Sequence, residues 1–143
     1  MAQTALQKKT TIMVDMHKLH MIEAGLLPKA VIILDKAAFD VEGIAKTLAT
    51  VLTGAMRASI YVSGASGGGN YNARKSEAIS KASSGGVTVE FHDEIKPEGK
   101  MERIVGVGVV YGIFPELNGK PYIVPAVEQV RPGFTQAWKA LFI

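Results

Sequence analysis

The chain contains no cysteine, so disulfides and thiolate chemistry are excluded, which suits a reducing compartment. It also lacks a long apolar run. The longest, Ala30 to Leu34, falls far short of the ~18–20 residues of a membrane span. No apolar stretch long enough for a signal peptide follows Lys8 and Lys9. Charge of one sign is scarce as well: the formal net charge is +3, a mild basic excess rather than the dense positive field of a dedicated nucleic-acid binder. What is present in quantity is apolar side chain. At 48% hydrophobic content, 143 residues can fill one core without a metal or disulfide staple.

The patterning predicts an α+β domain. Pro28 stands where a first helical turn tolerates proline. From there Val31, Leu34, Ala38, Val41, Ala45, Leu48 and Leu52 recur at three- and four-residue steps on one stripe. Lys29, Asp35, Lys36, Asp40, Glu42 and Lys46 make the polar side. Upstream, Met16 to Leu26 reads as a shorter, separate helix. Ser59 to Ser63 reads as a strand with Ile60 and Val62 on one face and Tyr61 on the other. Residues 64–86, "GASGGGNYNARKSEAISKASSGG", read as a long loop, helical over Ala73 to Ala82 only if something holds it.

Val87, Val89 and Phe91, then Val105, Val107, Val109 and Tyr111, alternate in strand fashion about a turn at Lys96 to Gly99. Gly106 and Gly108 leave two bare positions where a neighbour can approach closely. A helix begins near Pro125, with Pro132-Gly133 expected to kink or interrupt it. The expected fold is a small antiparallel sheet of three to four strands packed against a long N-terminal helix and a C-terminal helix. It comprises one domain over 19–143, preceded by a flexible arm over 1–18.

The chemistry-bearing constellations fail one by one. His17, His20 and Glu23 span six residues, about 9 Å along a helix, an awkward span for one ion, and read as a polar helix face. The glycines at 64–69 run into Asn70-Tyr71-Asn72 rather than the Gly-Lys-Ser/Thr of a phosphate loop. "GVGVV" at 106–110 lacks the third glycine of a dinucleotide fingerprint. Asp93, Glu94, Glu98 and Glu102 mingle with Lys96, Lys100 and Arg103, as solvated turn charges do. No catalytic, cofactor or metal residues are assigned, and no enzyme activity is expected. Tyr71, Arg74, Lys75 and Lys81 remain as a mildly basic set able to meet phosphates in a DNA channel, or a protein partner.

Two segments then read together: "TGAMRASI" (Thr53 to Ile60), after a long helix, and "VGVGVVYGIFPELNGKPYIVPAVEQV" near the C-terminus. In order and spacing they resemble the tail-completion, or head–tail joining, proteins of tailed bacteriophages, over about Leu26 to Leu141. The family's glutamate-led joint stands here as Glu116-Leu117-Asn118-Gly119, with Asn118 and Pro132-Gly133 as departures. The resemblance implies a non-enzymatic virion protein of the neck, assembled in the host cytoplasm as a hexameric or twelve-fold ring. Its implied partners are other copies of itself, head-closure or connector proteins, the tail tube or tail terminator protein, and double-stranded DNA passing without sequence readout. No membrane is implied. A tail terminator ring and a small DNA-binding module are the alternatives. The proline-stiffened corner reads as a rigid joint, with Tyr111, Phe114, Glu116, Pro121 and Tyr122 as its subunit contact.

Overall fold

A computed structural model describes residues 16–49, 54–64, 68–99 and 101–142, with the backbone alone at 16–24 and at Glu116. The order is α1 (Met16–Leu48), α2 (Ala55–Ala58), β1 (Ile60–Ser63), α3 (Tyr71–Ser84), β2 (Ile104–Val107), a 3₁₀ turn (Val110–Gly112), α4 (Ile113–Leu117) and α5 (Ile123–Ala140). The class is mixed helix and strand, as expected.

The sheet is smaller than expected. β1 and β2 pair antiparallel in the register Ile60↔Val107, Tyr61↔Gly106, Val62↔Val105 and Ser63↔Ile104. The 87–91 segment, expected to form a full hairpin with β2, meets it only at an isolated bridge, Phe91↔Val109. Two bonds flank that bridge: His92 N–H to the Gly108 carbonyl, and Val110 N–H to the Glu90 carbonyl. Beyond it the chain leaves the ladder and crosses the sheet face. Tyr71 O–H donates to the His92 carbonyl, Ser63 O–H to the Glu94 carboxylate, and Ile95 N–H to the Tyr61 hydroxyl. The Tyr71 and Tyr61 bonds satisfy backbone groups that a tight hairpin would have paired with backbone. The strand also ends at Val107, not Tyr111, because 110–117 coils into successive helical turns.

The two sheet faces differ as the alternation demands. Ile60, Val105 and Val107 join Val41, Ala45, Ala49, Met56, Val109, Tyr122 and Ala126 in the main core. Val62 packs on Ala38 and Val105. On the other face Tyr61 lies across Gly106, where an added Cβ would meet its hydroxyl at 2.8 Å. The Tyr71 ring meets Tyr61 edge-on at 4.9 Å.

α1 is one helix with Pro28 inside it, not two helices meeting there. Pro28 is exposed and withholds a single backbone bond. The bonds of a 33-residue helix on either side outweigh that loss. Its buried stripe is small: Ala30, Ala38, Val41, Ala45 and Ala49. Leu48 is half exposed, and Leu52 lies outside the described residues. At the end of α1, Arg57 donates from Nη2 to the Ala49 carbonyl, placing a cation on the negative end of the helix dipole. α5 runs along α1 and likewise continues through Pro132. No described helix is long and apolar enough to cross a membrane.

The segment read as a loop holds a 14-residue helix, α3. Residues 1–15, most of the expected arm, lie outside the described residues.

Candidate interaction surface

α3 is held by a buried polar clamp. Glu42 is only 5% exposed, although its type placed it on the polar side of α1. Its carboxylate accepts from Asn70 Nδ2 at 2.9 Å and from Arg74 Nε at 3.0 Å, with Lys46 Nζ at 3.7 Å. Asn70 also caps the outer edge of β1: its Oδ1 accepts from Val62 N–H at 2.7 Å, and its own N–H donates to the Val62 carbonyl. Burial alone would lower the Arg74 pKa, but the hydrogen bond and charge of Glu42 outweigh it and hold the guanidinium above its usual range. Burial pushes the Lys46 ammonium down, against the opposing charge of Glu42.

This clamp decides the fate of the expected basic set. Arg74 is spent on Glu42 and Glu77. Tyr71 is buried, its hydroxyl committed to His92. Neither is presented to a nucleic acid. Lys75 is exposed with its ammonium 5.6 Å from the Phe91 ring centre, and Lys81 is exposed on the same helix.

Burial raises the pKa of Tyr71 above its ordinary value near 10, helped by Tyr61, Asp93 and Glu94. Its share of stability is therefore complete below that ordinary value and is lost as pH climbs through the raised one. Tyr71→Phe is expected to cost about 1 kcal/mol near neutrality. It should also flatten the alkaline fall in urea midpoint above about pH 10. A variant as steep as the wild type would exclude Tyr71 as the source.

The proline-rich corner is built differently. Tyr122 is fully buried and its hydroxyl donates to the Gly112 carbonyl, bolting the start of α5 to the 3₁₀ turn. Gly112 is required there, because a Cβ would overlap the Val107 side chain and sit 3.2 Å from that hydroxyl. Tyr122 is thus a core residue, not a surface contact. Tyr111 is half-buried against the same core. Pro121 is exposed, and the Glu116 side chain lies outside what is described. α4 itself is a single turn with Pro115 inside. It closes through Lys120 N–H to the Pro115 carbonyl and Gly119 at φ +82.

That closed turn presents Ile113, Phe114 and Leu117 outward, 55%, 57% and 72% exposed. Val110 and Val124 flank them in sequence and are also exposed. Single exposed apolar residues are ordinary; three large ones on one turn of a pinned corner form a patch of the kind that marks contact sites. Of the expected contact residues, Phe114 lies in this patch. Ile113 and Leu117 belong to it too, and their spacing to Phe114 on a helical turn was the available signal.

Two apolar grooves flank the α1–α5 contact. One, of about 500 Å³, is lined by Ile33, Ala37, Phe39, Ile44, Val130 and Phe134, with the Lys36–Asp40 ion pair at its rim. The other, of about 240 Å³, lies beside β2. Among the described residues, no three His, Asp or Glu side chains converge as a metal-holding group. No protein-family model, curated protein or solved structure matches this chain.

Proposed function

We propose that the chain is a structural subunit of a tailed-phage neck, assembled as a ring that joins the head-closure or connector complex to the tail. One observation carries the reading: a rigid corner holds Ile113, Phe114 and Leu117 in solvent. The bolt of Tyr122 to Gly112 fixes the direction of that corner. Ordering it in advance lowers the entropy lost when a neighbour covers it. The order of the "TGAMRASI" and "FPELNGKPYIVP" segments supplies the family, and the same corner supplies the contact. A ring of six or twelve copies, with double-stranded DNA crossing its lumen, is the finer form of this proposal. Against the DNA-binding alternative, two of its four residues, Tyr71 and Arg74, are committed within the subunit.

The test is association of the purified protein, alone and with connector or tail parts, followed by light scattering. Phe114→Asp is expected to weaken association at least tenfold while leaving the melting temperature within a few degrees, since the side chain is exposed. An unchanged mass distribution in Phe114→Asp and Leu117→Asp alike would remove the corner from the interface.

A further inference from the structure

Among the described residues, no strand pairs with the outer edge of β2. In an antiparallel ladder, hydrogen-bonded and non-bonded pairs alternate. Gly108 N–H donates to the Ser59 carbonyl, so Tyr61↔Gly106 and Ser63↔Ile104 carry the ladder bonds. Val105 and Val107 therefore turn their N–H and C=O groups away from β1. On the far side of the sheet, β1 has its equivalent Val62 groups satisfied by Asn70. Among the described residues nothing bonds the four groups of Val105 and Val107. Such a row is a template for another strand. The apolar groove of about 240 Å³ lies alongside, lined by Leu34, Val41, Val105, Val127, Val130 and Phe134. An open edge beside an apolar trough is the arrangement that strand addition uses: main-chain bonds for affinity, alternate side chains for the pocket.

We infer that the Thr10–Val14 segment of a second copy pairs with this edge. The run "TTIMV" is dense in β-branched residues, and Thr10, Ile12 and Val14 fall on one face of an extended chain. Reach decides between the two sources of that segment. Met16, where α1 begins, is 18 residues before Leu34, so the groove starts about 27 Å along the helix. Even fully extended, Thr10 lies at most about 22 Å from Met16, and Ile12 at most about 14 Å. The run falls short of its own groove but can enter that of a neighbour. Each copy then gives a segment and receives one, a head-to-tail contact that closes into a ring when its rotation allows. A third strand also strengthens a two-stranded sheet, which is marginal alone. The inference rests on the reading of a self-assembling subunit and names one of its contacts.

The experiment compares the full-length chain with full-length Ile12→Pro, which removes the central donor of the run and lies outside the described residues. Amide exchange is followed at Val105 and Val107, with mass from sedimentation and melting by circular dichroism. In the assembled wild type these two amides should exchange about a hundredfold more slowly than in Ile12→Pro. Assembly of the variant should weaken at equal melting temperature, and Val14→Asp should repeat the effect. Assembly with equal exchange at both amides in wild type and variant would overturn strand addition while leaving the ring reading intact. A wild type monomeric at every concentration would overturn both.

Discussion

Gly69→Ala is expected to lower stability by roughly 3 kcal/mol, or about 10 °C in melting temperature for a chain of this size. Two costs combine. Gly69 has φ +76, where a side chain costs about 1–2 kcal/mol. A Cβ there would also overlap the Val62 carbonyl oxygen and lie 3.2 Å from Ser63 Cα, both backbone atoms of a fully buried strand. Nothing there can swing aside, so the alanine must push residue 70 off the edge of β1. The clamp then loses its first member, because Asn70 bonds Val62 on one side and Glu42 on the other. Gly68→Ala is the control. Its φ is +94, but a Cβ there meets nothing within 4 Å, so it pays only for conformation. The difference in urea midpoint between the two variants measures the close approach. Equal losses would mean that the edge cap contributes nothing.

That glycine also shows where the sequence was legible. On composition its run reads as part of a long loop over residues 64–86. In the structure Gly69 and Asn70 stand in for a neighbouring strand, a role that only the long-range position of β1 reveals. The alternation Ile60–Tyr61–Val62 was readable because period two assigns faces without knowing the partner. The partner was not readable. The turn signal at Lys96 to Gly99 argued for a local hairpin, whereas Ile60 pairs with Val107, across α3 and the whole crossing segment. α3 was legible only conditionally, over Ala73 to Ala82, because its buried face is Tyr71, Ala78 and Ala82, two of them alanines between glycine-rich ends. Glu42 was assigned to solvent by residue type. Its spacing from Ala38 and Ala45, four and three residues, put it on the buried stripe, and that signal was available. At the corner, proline and Asn-Gly correctly marked a stiff turn, but they could not separate the inward Tyr122 from the outward Phe114.

Glu42→Ala is expected to cost about 3–5 kcal/mol, a large part of the stability of a chain this size. The loss is not the worth of one salt bridge. It is the penalty of leaving Arg74 and Lys46 facing each other, partly buried, with only the half-exposed Glu77 as counter-charge. Arg74 cannot shed its proton and keeps only Glu77 as a partner. Lys46 can respond. Burial already holds its pKa down, and Glu42 is the largest opposing influence. Removing Glu42 should lower that pKa further. The sign follows from proton counting: a lysine whose folded pKa lies below its unfolded value destabilises fully at low pH. It relieves the fold as pH rises from the folded value toward the unfolded one near 10.4. Glu42→Ala should therefore regain part of its deficit on alkaline titration, and regain more than the wild type does. Removing both charges separates the clamp's net worth from this penalty. Glu42→Met with Arg74→Leu should fall within about 2 kcal/mol of wild type, since an apolar pair of similar bulk often replaces a buried ion pair at little cost. A double variant as unstable as Glu42→Ala would instead show that the hydrogen bond to Asn70, and with it the capped edge of β1, is what the carboxylate chiefly secures.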